Sequence, residues 1–304
     1  MKKFYVLFLL VSCACTPGWA QQKTWTGGNG NWNDASNWTP EAVPVSNDIV
    51  IFNAGSSATI SNVPSILLNR ITVMDGSVIL LQTNTPRSLT ISNNAGEDFI
   101  IQQNSSITLG ANMNLALQSG ATADIAGTLS IGQDNTFTTG GGTGLSNVRA
   151  GGTLHNAGAV TSASMSSLNF ESGGSYIHAQ NGGNIPLATW AAGSNLNITG
   201  VTDLRPGGLA SQEFGNVTWD AHQEADIDLD GTLRMVKGDL VIRKTSVRPA
   251  ISWYLFFSSA SDFTLNIGGD LIIEQADDDL TNVCFINEGA GDAVINVGGN
   301  YEHR

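Results

Sequence analysis

Six residues, Asp226-Ile227-Asp228-Leu229-Asp230-Gly231, set carboxylates at alternate positions ahead of a glycine, as at the start of a calcium-binding loop. Such a loop closes on a bidentate Glu at its twelfth position, which here is Lys237. Strand alternation accounts for the same string, with Ile227 and Leu229 turned inward and three aspartates facing water. Three like charges along one strand face repel. A structural calcium ion on Asp226, Asp228 and Asp230 is therefore the single metal expectation, and no other cofactor is expected. Asp277-Asp278-Asp279 reads as a solvated turn. A second string, 25–38, carries Trp25, Trp32 and Trp38 at steps of seven and six residues. Those indoles either cover the open end of a stack of strands or present rings on which a sugar stacks.

Other chemistry is thinly supplied. His155, His178, His222 and His303 show neither metal-ligand spacing nor a linked nucleophile, and each reads as a turn or strand-face residue. Gly140 to Gly144 lacks the Lys-Ser/Thr and following helix of a phosphate-binding loop. A polysaccharide hydrolase needs two carboxylates at a fixed separation, and a lyase needs a base plus cations against an acidic sugar. The short strings that mark polygalacturonase-like sites are absent, and Arg and Lys are sparse. No catalytic residue is assigned.

The elements available to position these residues are short strands. Apolar stretches recur every eight or nine residues over much of the chain from Ile49 to Phe137: 49–52, 71–73, 78–81, 89–91, 99–101, 107–109, 115–117 and 129–131. Between them lie Asn, Gly, Ser and Asp, and period-two alternation as in Leu115-Ala116-Leu117 buries every second side chain. Later, 233–242, 265–273 and 295–301 repeat one pattern, with Asp239, Asp270 and Asn300 at steps of 31 and 30 residues. Helical periodicity is absent after the first twenty residues. Stacking such strands at about 4.8 Å gives each backbone group a partner, so the expected fold is all-β, a right-handed parallel β-helix (β-solenoid) with short strands and Asn/Gly-rich turns. Antiparallel β-sandwiches give a similar rhythm but favour two-residue hairpins, whereas these breaks are longer, as in Asn93-Asn94-Ala95-Gly96. The predicted organisation is a Trp/Gly-rich cap over 21–48, a solenoid over 49–205 and its continuation over 206–304 after Arg205-Pro206-Gly207-Gly208. With no polar closing strand before Arg304, the natural protein is expected to continue.

Residues 1–20 read as a secretory signal: Lys2-Lys3, an apolar stretch over 4–11, and Gly18 and Ala20 before Gln21. That stretch falls far short of the roughly 20 residues a spanning helix needs, and a soluble exported chain is expected. Leu10-Val11-Ser12-Cys13 offers a rival, resembling a lipobox that would anchor the chain through Cys13. Cleavage after Ala20 removes two lysines and no acid, moving the net charge from -13 to -15. Such a surface disfavours nucleic acid and anionic lipid. It also leaves Cys284 alone, a core residue by its setting, so packing and backbone hydrogen bonds must hold the chain without a disulfide.

The Trp25 to Trp38 string, running through Pro44 and Asp48 into the strand at 49–52, resembles the opening of large bacterial surface proteins with β-helical passengers, including autotransporter-like adhesins. Three further strings are similar to repeat units of type IX secretion cargo: Gly173-Gly174-Ser175-Tyr176-Ile177-His178, Asn184-Ile185-Pro186-Leu187-Ala188-Thr189-Trp190 and Phe214-Gly215-Asn216-Val217-Thr218-Trp219. Such cargo usually ends in a sorting domain, and nothing before Arg304 looks like one. The resemblance implies an extracellular or outer-surface location and a structural or adhesive role as passenger or stalk. Glycans or a host or neighbouring surface are the expected partners, and the outer membrane is engaged only through an anchor or secretion system. The alternative is a carbohydrate-binding or polysaccharide-degrading β-helix protein.

Overall fold

The computed structural model describes residues 20–247, 253–258, 262–274, 279–284 and 292–304, without the side chains of Val247, Asp279, Leu280 and Cys284. Residues 1–19, with Lys2, Lys3, Cys13 and Cys15, and also Asp277 and Asp278, lie outside the described residues, as does the side chain of Cys284.

The chain is all-β, and nearly every strand pairs with strands one circuit away instead of its sequence neighbour. Ile49–Phe52 joins a nine-stranded sheet, Ser57–Ser61 a twelve-stranded sheet and Ile66–Leu68 a five-stranded sheet; Arg70–Val73 then returns to the first, parallel to Ile49–Phe52. Arg87–Ile91 and Phe99–Ile101 continue the same order. Strands expected at 49–52, 71–73, 78–81, 89–91, 99–101, 107–109, 115–117 and 129–131 all fall within observed strands. The twelve-stranded sheet crosses 205–208 without a break, since Asn195–Ile198 pairs in register with Asn216–Asp220. The nine- and five-stranded sheets end at Thr189–Trp190 and Ala159–Thr161. Among the described residues no helix is long and apolar enough to cross a membrane.

Alternation sets the interior. Met113–Leu117 buries Met113, Leu115 and Leu117 and turns Asn114 and Ala116 outward. Because pairing is parallel and in register, inward residues stack like on like: Ile101 sits beside Val73 and Ile125, and Ile125 beside Val148. Each such side chain contributes about 1.5–3 kcal/mol on full burial. Farther along, the column turns aromatic, with Phe170 and Trp190 stacked at 4.1 Å and Tyr176 and Phe214 packed around Trp190. Asn and Asp occupy turns between strands because they tolerate left-handed backbone, as at Asn62, Asn104, Asn112 and Asp134.

The 30- and 31-residue repeats have a specific physical basis. Asn216 Oδ1 accepts the Asp239 N–H at 3.0 Å, Asp239 Oδ1 accepts the Asp270 N–H at 2.8 Å, and Asp270 Oδ1 accepts the Asn300 N–H at 2.7 Å. Each side-chain oxygen thus occupies the space beside the residue that precedes its acceptor's partner. A Cβ on Gly238, Gly269 or Gly299 would lie 2.0, 2.1 or 2.2 Å from the incoming oxygen. The Gly-Asp and Gly-Asn pairs mark a corner between two sheets: Leu240–Lys244 belongs to the twelve-stranded sheet and Met235–Val236 to a three-stranded one.

Gly269→Ala is expected to displace the Asp239 carboxylate and lower stability by about 1–2 kcal/mol. In an Asp239→Ala background the same change should cost clearly less. Urea unfolding of the four proteins measures both, and equal costs in the two backgrounds would remove the ladder as the reason for the glycine.

Candidate functional site

Trp25, Trp32 and Trp38 are buried to within 1% and pack edge to face, with centroids 4.9 and 4.8 Å apart. Trp38 donates its indole N–H to the Trp32 carbonyl and Trp25 donates to that of Gly28. No ring face is open to a sugar, which corrects the glycan-stacking expectation for these three residues. The hydrophobic body of an indole is worth most when withdrawn from water, and here it lies beneath the antiparallel pair of Gln22–Trp25 and Trp38–Thr39 at one end of the nine-stranded sheet.

Asp226, Asp228 and Asp230 do face outward from buried Ile227 and Leu229. They do not converge on a common centre. Asp226 Oδ1 accepts the Tyr254 N–H at 2.8 Å, Asp228 Oδ1 accepts the Asp230 N–H at 2.7 Å, and Asp230 Oδ2 pairs with Arg205 at 3.3 Å. Among the described residues no group of three His, Cys, Asp or Glu side chains is arranged to hold a metal ion. Lys237, at the twelfth position, sends its ammonium to the Trp190 carbonyl.

Charges that do converge lie on the outer face of the nine-stranded sheet. Arg149 meets Asp124 at 2.8 Å, Glu171 at 2.6 Å and Glu97 at 3.7 Å. Asp124 and Glu171 come from neighbouring circuits, 25 and 22 residues from Arg149. The carboxylates raise the Arg149 pKa, Asp124 first and then Glu171. Burial, then the adjacent Asp124 carboxylate, pushes the Glu97 pKa above its ordinary range. The cluster borders a groove of about 510 Å³ lined by Asp75, Glu97, Gln102, Asn104 and Asp124 among others.

Two carboxyl groups side by side have the composition of a glycosidase pair. The geometry assigns them another task. Both Asp124 oxygens accept from Arg149, at 2.8 and 3.1 Å, so its carboxylate is held as one half of a bidentate ion pair. The cluster ties four successive circuits together by charge. A wider groove of about 610 Å³ lies between the twelve- and five-stranded sheets, with Gln133, Asp134, Thr136 and Gln180 over a floor of alanine and glycine. Its side chains are uncharged except Asp134, and they offer hydrogen bonds without a nucleophile and base in partnership.

Of the histidines, His178 alone is wholly buried. Its Nε2 bonds the Gly182 carbonyl at 2.7 Å, while Nδ1 is buried without a partner. Its in-register neighbours are Asn156, which donates to the Tyr176 hydroxyl at 2.8 Å, and Ile198. Burial lowers the His178 pKa, since a proton on Nδ1 would place an unpaired cation in the core.

The chain matches no protein-family model, no curated protein and no solved structure.

Two outcomes follow from these environments. Arg149→Met leaves three carboxylates facing one another and is expected to cost about 1 kcal/mol at low salt, with much of the loss recovered at about 1 M salt. Denaturant midpoints at both salt levels test it, and a salt-independent loss would point to packing alone. For His178, the folded state binds the proton less readily than the unfolded chain, whose value lies near 6.5. The stability that neutral His178 contributes is complete above that value and falls as the pH drops below it. His178→Leu should therefore flatten the decline in urea midpoint between about pH 7.5 and pH 5; an unchanged decline would assign the acid sensitivity elsewhere.

Proposed function

We propose that the chain is an exported passenger or stalk of a bacterial cell-surface protein with an adhesive or scaffolding role, and that its sheets form the faces of a right-handed parallel β-helix. One observation carries the reading. The chain visits the nine-, twelve- and five-stranded sheets in the same order from Ile49 to Thr161, and the twelve-stranded sheet runs on past them as a single parallel stack, roughly 50 Å long at 4.8 Å per strand. Residues are spent on length and on a regular outer surface. The converging charges at Arg149 serve neighbouring circuits, and the two grooves of about 510 and 610 Å³ carry hydrogen-bonding groups without a nucleophile and base in partnership. The basic and apolar residues of 1–20 support export, and the resemblance of 25–38 to β-helical passengers supports the surface location.

Expression of the full chain in a Gram-negative host, followed by fractionation and mass spectrometry of its N-terminus, tests the export step. The expected product starts at Gln21 and is found outside the cytoplasm. A diacylglyceryl-modified Cys13 would establish the anchored form, whereas an intact Met1 confined to the cytoplasm would overturn the reading. The structural role is tested with the same purified protein on neutral and acidic polysaccharides, where no new chain ends are expected; heat-sensitive release of new ends would make it an enzyme.

A further inference from the structure

The parallel pairing of Gln22–Trp25 with Ile49–Phe52 extends one residue back, because the Gln21 carbonyl accepts the Ile49 N–H at 2.8 Å. The Gln21 nitrogen meets a carboxylate instead of a backbone partner. Its N–H donates to Asp48 Oδ1 at 3.1 Å, and Asp48 Oδ2 accepts the Val45 N–H at 2.9 Å. Asp48 is 2% exposed, and among the described residues no Lys, Arg or His side chain pairs with it. Its backbone is tied as well, the N–H to the Val45 carbonyl at 3.1 Å and the carbonyl to the Asn69 N–H at 2.9 Å. Asp48 is thus a fixed, buried carboxylate without a countercharge, and a charge withdrawn from water is costly unless paired. Ala20 and Gln21 are exposed.

We propose that Asp48 is the binding site for the chain's own α-ammonium group, formed at Gln21 when residues 1–20 are removed, and that this ion pair locks the tryptophan cap onto the end of the sheet. The inference rests on the export reading, which places cleavage after Ala20. Hydrolysis adds water across the Ala20–Gln21 bond, leaving a carboxylate on Ala20 and an amine on Gln21 that takes up a proton at neutral pH. That nitrogen already lies within hydrogen-bond reach of Oδ1, so the strand need not move. One N–H keeps the bond to Asp48 and the other two are left to solvent. An amide–carboxylate bond becomes an ion pair whose second oxygen stays satisfied by Val45, the condition under which a buried pair stabilises. The strand so fixed, Gln22–Trp25, carries Trp25 and pairs with Trp38–Thr39 on its other side. Asp98 supplies the contrast. It precedes Phe99–Ile101 in the same sheet, is as deeply buried, and accepts the Asn94 and Thr122 N–H groups at 2.9 Å each. Both donors are mid-chain amides, so Asp98 gains nothing from cleavage. A chain anchored through Cys13 keeps an amide at Gln21 and lacks the pair.

The experiment compares purified chains that start at Met1, Ala20 and Gln21, the last two released from a tag by a protease that leaves the stated first residue. Starting at Ala20 restores the amide at Gln21 and carries the ammonium one residue away. The Gln21 start is expected to melt about 2–4 °C above the other two. In an Asp48→Asn background the three starts should melt together, whereas Asp98→Asn should lower all three alike and keep the gain. Cyclisation of the Gln21 start gives a second readout: the neutral amine attacks its own side-chain amide carbon, the new N–C bond forms and ammonia leaves. A nitrogen held as ammonium is not a nucleophile, so mass spectrometry should show pyroglutamate accumulating severalfold faster in Asp48→Asn. Equal melting of the Ala20 and Gln21 starts overturns the proposal, as does a gain that persists in Asp48→Asn. If Asp48→Asn does not fold, the comparison of starts in the unaltered sequence decides alone. An intact Met1 on the protein recovered from cells would overturn the export reading and with it the natural occurrence of the pair, while the purified Gln21 start reports separately whether Asp48 holds an ammonium.

Discussion

Parallel pairing in register governs this molecule. A strand that bonds to its counterpart one circuit away places every side chain about 4.8 Å from the residue at the same position in the next circuit. Apolar residues gain from that proximity and like charges lose. The inner rows are accordingly columns of Ile, Val, Leu and, farther along, Phe and Trp. On the outside, Arg149 sits between Asp124 and Glu171 in consecutive circuits, so the sign of charge alternates along the stack. Asn147 and Asn169 satisfy the same demand with a carboxamide pair at 3.0 Å.

The same constraint explains the glycines of the last repeats. Asp239 and Asp270 reach forward to accept backbone N–H groups of the next circuit, and the residue before each donor, Gly269 and Gly299, must lack a side chain. Glycine there costs backbone entropy, which a charge-assisted hydrogen bond offsets. A turn motif and a stacking motif are thus one device.

Much of the strand pattern was legible because alternation is local: 107–109 and 115–117 declare themselves within three residues. The partners were not, since circuits vary in length and the residue opposite Asp124 lies 23 residues away at Asn147, beyond any local window. Spacings of 22 to 27 residues between residues of opposite charge would have flagged Arg149. The tryptophans misled for a different reason. Their spacing in sequence carries no information about which way a ring faces once an antiparallel strand folds over it.

The hydrogen bonds of all three sheets point along the stacking direction, each circuit being joined to the next by several strands at once. Tension applied along that direction therefore loads those bonds side by side, and none fails until its neighbours share the strain. When an end circuit does peel away, it frees about 25 residues together, roughly 80 Å of extended chain. Parallel sheets stacked in this way release chain in discrete lengths, and the strands that remain paired keep their register.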